Sequence, residues 1–247
     1  MKRISYFFAS VALVFGAMGM AAAQETVANE DASVKDDKAI HADEYSLFRG
    51  DFFVGIGGGP SVYFGEHDRQ MKFHHRMAPA MDVYVGKWLT PSIGVRVAYS
   101  GGRTIGATSV DTGYIFSTGT IYSKPPHKWI YWQEFDYFGV RADFMLNLMN
   151  LFGGENPDRF YELSPYIGAG VNKVYNTPLK ETCVGLTIGV FNTFSIADAW
   201  NIVLDVHGTA VPEKFEHEMG SRPGVNPNGI YSYDGILTAA LGVSYSF

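Results

Sequence analysis

From Phe48 onward the chain alternates apolar side chains with small or polar ones, the period of a strand that presents two different faces. No helical period competes with it. Phe52, Val54 and Ile56 alternate with Phe53, Gly55 and Gly57, and Met81, Val83 and Val85 alternate with Ala80, Asp82, Tyr84 and Gly86. Ile93, Val95, Val97 and Tyr99 alternate with Gly94, Arg96 and Ala98. A fourth run sets Phe138, Val140, Ala142, Phe144 and Leu146 against Gly139, Arg141, Asp143 and Asn147. The next two set Ile167, Ala169 and Val171 against Tyr166, Gly168, Gly170 and Asn172, and Val184, Leu186, Ile188 and Val190 against Gly185, Thr187, Gly189 and Thr193. Ile202, Leu204 and Val206 then oppose Asp205 and His207. Finally Leu237, Ala239, Leu241, Val243, Tyr245 and Phe247 oppose Thr238, Ala240, Gly242, Ser244 and Ser246. The pattern predicts eight strands.

Alternation alone fits a soluble sandwich as well as a membrane barrel, and three features separate them. The second face is dominated by Gly, Ala, Ser and Thr with a few charges, where a solvated face would be crowded with Lys and Glu. Small residues suit the lumen of a narrow barrel. Aromatics cluster near strand ends (Phe48, Tyr63, Phe64, Trp88, Trp129, Tyr131, Trp132, Trp200, Tyr231, Tyr233, Tyr245, Phe247), as girdles at two lipid interfaces require. The links also alternate in length. Residues 62–75, 101–128 and 212–232 form long loops, whereas 87–91 and 195–200 are tight. Short turns on one side and long loops on the other are the habit of a transmembrane barrel. Residues 150–162 are long for a short-side turn and 176–181 short for a loop, without changing the parity.

The ends of the chain add a destination. Lys2 and Arg3 precede an uncharged run from Ile4 to Ala23 that finishes in Ala21-Ala22-Ala23, the form of a secretory signal peptide over residues 1–23. A transmembrane anchor is the rival reading, weakened by the small residues and by the acidic stretch that follows. No Cys follows the apolar run, so a lipoprotein anchor is not expected. Residues 24–47 are poor in apolar side chains and rich in Asp, Glu, Lys and Ala, and are read as a flexible acidic tail. Residues 48–247 form the barrel. Loss of Lys2 and Arg3 leaves 17 basic against 25 acidic residues, a net charge of -8. That balance argues against a nucleic-acid partner, which needs a basic face. One Cys and seven scattered His exclude a disulfide scaffold within the chain and offer no zinc-site spacing.

The ending Leu241-Gly242-Val243-Ser244-Tyr245-Ser246-Phe247 resembles the C-terminal signal by which outer-membrane barrels are recognised for assembly, with Leu241, Val243, Tyr245 and Phe247 as its apolar positions. The stretch from Asp82 to Arg96 (DVYVGKWLTPSIGVR) is similar to the second hairpin of OmpA/OmpX-like eight-stranded barrels. The likeness covers about residues 48–247 and implies an all-β, antiparallel up-and-down barrel in the outer membrane of a Gram-negative bacterium. It also implies, as partners, the surrounding lipid and lipopolysaccharide, the barrel-assembly machinery and periplasmic chaperones. Many OmpA-like chains carry a periplasmic peptidoglycan-binding domain; none is expected after Phe247, and no peptidoglycan role is carried over.

With these phases Asp82, Arg96, Arg141, Asp143, Asp205 and His207 point into the lumen. Charges of both signs in a narrow interior should pair, because an unpaired buried charge is costly. Asp82 and Arg96 flank one tight turn and are expected to be neighbours. The plain reading is an ion-pair plug; the sharper one is a gated polar path. Trp88, Trp129, Trp132 and Trp200 are expected at the lipid interfaces. The Gly55–Gly59 run lacks the Lys-Ser/Thr of a phosphate loop and reads as small lumen residues or a strand kink. His74 and His75 point to opposite faces of a strand and need loop geometry with His67 to chelate, so no metal and no cofactor are expected. Cys183 reads as an inert buried thiol. Asp205 and His207 share a face, and with a Ser from a neighbouring strand would make a hydrolase constellation. The leading function is therefore structural or interaction-based, with loops outside whose ligand the sequence does not name. It allows at most a small transient pore. The runner-up is a lipid A-modifying acylase or deacylase in the same membrane.

Overall fold

The computed structural model describes residues 52–247 except 66, 110–115, 124–128, 157, 176–179, 213–214 and 216–232. The expected leader and acidic tail, with Phe48 and Tyr231, lie outside the described residues. Nine strands follow in order: β1 (Phe52–Phe64), β2 (Met77–Trp88), β3 (Ile93–Thr108), β4 (Ser117–Ser123), β5 (Ile130–Leu146), β6 (Tyr161–Tyr175), β7 (Thr182–Ser195), β8 (Trp200–Pro212) and β9 (Tyr233–Ser246). Eight of them form one antiparallel ring in the order β3, β2, β1, β9, β8, β7, β6, β5. The ring closes because β5 pairs back onto β3 from Ile93↔Leu146 to Thr108↔Tyr131. Closure leaves no open edge in the wall, which is what a sheet needs in a solvent that cannot hydrogen-bond the backbone.

The alternation sets the two faces. Ile56, Val83, Ile188 and Leu241 stand exposed on the outside, and Ile188 keeps 70% of its surface accessible. An apolar wall of this extent is lipid-facing. Outward charges bound it at the loop end, where Arg103 meets Glu134 at 3.7 Å and Asp136 at 3.2 Å. At the turn end Lys87 Nζ lies 4.6 Å from the Phe52 ring and the Tyr161 hydroxyl donates to Asn192 Oδ1 at 2.8 Å. From Val95 to Arg103 the belt is about 20 Å tall for tilted strands. No helix among the described residues is long and apolar enough to cross a membrane.

Three differences from the sequence pattern have physical causes. Strand β1 runs on through Gly57–Gly59 and Pro60 to Phe64, because glycine in the second-face positions blurs an alternation the backbone continues. Strand β4 arises inside the expected 101–128 loop, and β3 itself extends to Thr108. Its polar sequence, Ser117-Thr118-Gly119-Thr120, carries no two-faced pattern, and it pairs with β5 at only three positions, with register shifts between them. The long turn-side link folds into a short helix (Leu148–Gly153), capped by Asn147 Oδ1, which accepts the Asn150 N–H at 3.1 Å. Asn150 Nδ2 then donates to Pro91 O at 2.8 Å, fastening this link to the β2–β3 turn.

Candidate functional site

The six charged or imidazole side chains expected in the lumen are all buried there. Arg96, at 1% exposure, donates from Nε to Asp143 Oδ2 at 2.9 Å and from Nη1 to Asp205 Oδ2 at 2.9 Å. Asp143 is its register partner on the adjacent strand, whereas Asp205 stands on β8, on the opposite side of the ring. The guanidinium also lies 4.4 Å from the Tyr166 ring, 4.8 Å from Phe191 and 5.2 Å from Tyr84. Aromatic faces complete the coordination of a cation that has left water. The Tyr166 hydroxyl donates to Asp205 Oδ1 at 2.8 Å, and His207 Nδ1 stands 3.4 Å from the same oxygen.

A second group sits beside the first. Arg141 Nε donates to Asp143 Oδ2 at 3.3 Å, and its Nη1 lies 3.8 Å from Asp82 Oδ1. Ser100 bridges them, donating its hydroxyl proton to Asp82 and accepting from Arg141. Two guanidiniums thus hold three carboxylates together. The expected pairing of Asp82 with Arg96 is corrected: the turn puts Arg96 opposite Gly86 and Asp82 opposite Ser100. Four residues of strand, about 13 Å, separate those levels.

Apolar layers lie in the lumen on either side of the charges. Phe53, Tyr84, Ala98, Met145, Tyr166, Phe191 and Val203 form the layer around Arg96, with Trp88 packed against it. Tyr63, Phe116, Phe135, Tyr137, Val174, Cys183, Val211, Phe215 and Ile236 form the other. The cavity between Ser100, Arg141, Asn172, Thr187, His207 and Thr238 measures about 10 Å³, room for one water. Glycines make this packing possible. A Cβ at Gly189 would lie 2.5 Å from the Tyr166 ring, and one at Gly94 2.7 Å from Trp88. A Cβ at Gly86 would run into the Phe53 ring, and one at Gly55 into Tyr84. Each of these four rings occupies the side-chain space that a glycine on the next strand leaves.

The expected girdle divides. Trp200 is half exposed on the outer wall, its ring 5.1 Å from Tyr245, which lies 5.0 Å from Phe247. Leu241 and Val243 share that outward face, and the Phe247 N–H donates to Phe52 O at 2.9 Å. Trp88 is corrected: it falls on the inward phase of β2, 6.0 Å from Phe53, and packs against the inner apolar layer at the turn end. Tyr63 is likewise a lumen residue, its hydroxyl donating to Asp234 at 2.9 Å. Trp129 and Trp132 lie on β5's loop-end side, beyond the outward charges at Glu134 and Asp136, and Trp132 packs against Tyr122 and His75.

The other candidates have ordinary surroundings. The Gly55–Gly59 run is strand, with Gly57 close to the β9 backbone. The His74 and His75 rings meet edge to face at 4.2 Å, and the described residues hold no cluster of metal-ligating type. Cys183 is buried in the loop-end apolar layer. His207 Nδ1 faces Asp205 Oδ1 at 3.4 Å, and no serine among the described residues is hydrogen-bonded to that nitrogen. Sequence reasoning missed Tyr166, Tyr84 and Ser100 as members of the charge network. Their only signal was parity, since all three share the inward phase of the charged residues.

No family model matches the chain. Outer membrane protein 40 of Porphyromonas gingivalis is 26% identical over 170 residues, which cover 68% of this chain and 37% of that protein. The chain thus spans little more than a third of the length of the curated relative it matches. Among solved structures, Neisserial surface protein A is 9% identical, with 79% of this chain and 97% of that one covered at a TM-score of 0.48. The attachment invasion locus protein Ail of Yersinia pestis is 14% identical, with 80% and 99% covered at 0.42. The closed antiparallel ring, its apolar exterior and a relative that is itself an outer membrane protein define the class. The chain is a transmembrane β-barrel of the bacterial outer membrane.

Proposed function

We propose that this barrel is a structural and surface-presenting element of the outer membrane whose lumen is occluded, with no enzymatic activity and at most a small transient opening. The observation that carries this reading is Arg96, whose guanidinium spans the lumen from Asp143 on one wall to Asp205 on the other amid three aromatic rings. An ion pair enclosed in this way is locked by its own desolvation, because removing either partner strands a charge in a low-dielectric interior. Lipid and lipopolysaccharide are the neighbours of the apolar wall in this reading, and the assembly machinery and periplasmic chaperones read the Leu241–Phe247 ending. Its relation to the OmpA/OmpX-like barrels rests on that ending and on the β2–β3 hairpin.

The test compares cells with and without the protein. Loss should raise entry of an apolar dye and sensitivity to detergent, restored by the wild-type chain, while lipid A composition stays unchanged. A change in lipid A acylation that follows the protein, and is abolished by His207→Ala, would replace this reading with the lipid-modifying enzyme.

A further inference from the structure

The β1–β2 connection buries a cation that no carboxylate among its described residues neutralises. Arg76 is 7% exposed, donates from Nη1 to the Tyr63 carbonyl at 2.9 Å, and leaves its Nε buried without a partner. No carboxylate among the described residues pairs with it. Asp68, in the same loop, already accepts the Ala107 N–H at 2.7 Å on Oδ1 and the Gly65 N–H at 2.5 Å on Oδ2. The faces of the guanidinium are taken up by rings, Phe64 at 5.1 Å and Phe73 at 5.9 Å. A buried guanidinium with aryl groups on its faces and a free edge is costly by itself, and it becomes favourable when an oxyanion meets that edge.

The surroundings say where the oxyanion comes from. Phe64 and Met77 are exposed on the outer wall, at the loop end of β1 and β2, so the site joins the lipid-facing belt at its upper rim. The loop end of such a barrel faces outward, and its rim lies level with the headgroups of the outer leaflet. Phe73, which covers the guanidinium on one side, is 53% exposed and rides on a single 3-10 turn (Phe73–His75). Lys72 and His74 flank it and are exposed. We propose that Arg76, with Lys72 beside it, binds a phosphate group on the headgroup of an outer-leaflet glycolipid, Phe73 giving way to admit it. The site is independent of whether the lumen conducts.

The experiment uses the wild-type barrel in phosphatidylcholine bilayers doped with a diphosphorylated glucosamine-based glycolipid or its dephosphorylated counterpart. The barrel is extracted, and the glycolipid it retains is counted by native mass spectrometry. The phosphorylated form should be retained about tenfold better, the scale of one charged hydrogen-bonded contact. The preference should vanish in Arg76→Gln, weaken in Lys72→Gln, and survive excess inorganic phosphate, with each variant's folding checked by gel mobility before heating. Equal retention of the two glycolipids by the wild type overturns the proposal, whatever the variants do. Displacement by inorganic phosphate overturns the lipid assignment and leaves a small-anion site.

Discussion

Arg96 and Asp205 are 109 residues apart in sequence and joined at 2.9 Å across the lumen. Strands β3 and β8 stand four places apart in a ring of eight, so this bond follows a diameter. A single arginine can reach across because an eight-stranded barrel is narrow enough for side chains to fill its interior. The same guanidinium is bonded to Asp143 on the neighbouring strand, which fixes its near end while the far end crosses.

Removing that cation should destabilise the barrel more than removing it together with the two carboxylates it bonds. Arg96→Ala leaves Asp143 and Asp205 buried without their main counter-charge, a loss of about 3–5 kcal/mol, whereas Arg96→Met with Asp143→Asn and Asp205→Asn should recover most of it. Denaturant unfolding in detergent, followed by the mobility of unboiled samples on a gel, measures both. Equal destabilisation of the single and triple variants would show that the charges are not coupled.

The glycine–aromatic packing predicts a steric penalty on the inner face. Gly189→Val would push into the Tyr166 ring and the His207 Cβ, which lies 2.7 Å from a Cβ at Gly189. The expected cost is about 1–3 kcal/mol, the range for overpacking. Gly208, where a Cβ meets nothing within 4 Å, is the control and should accept Ala with little change. Folded yield and midpoint of unfolding separate the two.

How much of this was legible in the sequence depends on whether a feature is local. The period-2 runs placed all eight wall strands and the inward phase of Asp82, Arg96, Arg141, Asp143, Asp205 and His207, because a strand's parity is decided within a few residues. Partnership was not legible in the same way. Adjacent-strand register follows from where a turn is centred, and the Asp82–Arg96 expectation failed because those residues are not equidistant from the Thr90–Pro91 turn. Arg96 with Asp205 needs the ring to close, which no local pattern encodes. Trp88 was misassigned because aromatic residues at strand ends serve both girdle and plug, and only its even position, shared with Tyr84, set it inward.

The C-terminal residue should matter for delivery more than for stability. Phe247 is exposed on the outer wall at the end of an aromatic file with Trp200 and Tyr245. Deleting it, or making Phe247→Lys, should leave protein in the periplasm, although a charge near the interface costs only about 0–1 kcal/mol by itself. Normal outer-membrane yield of both variants would show that the ending is not an assembly signal here.

The first loop should be fastened by one carboxylate. Strand β2 pairs with β3 only as far as Gly102, and beyond it Asp68 accepts the Ala107 N–H that the sheet leaves open. Asp68→Ala should free the segment between Gly65 and Arg76 at a local cost of about 1–3 kcal/mol, the desolvation penalty of an orphaned group. Faster protease cleavage within that segment, with unchanged mobility of the unboiled barrel, is the expected result. Unchanged cleavage would mean that the loop's other contacts hold it without Asp68, among them Met71 packed with Ala107 and Ile130 and the Arg76 bond to the Tyr63 carbonyl.

Single-channel recording in planar bilayers tests the proposed occlusion of the lumen most directly. The wild-type barrel should give no steady conductance, and Arg96→Ala, which removes the cross-lumen cation and leaves carboxylates facing the axis, should give brief, small, cation-favouring openings. A stable conductance of porin size from the wild-type protein would contradict the account.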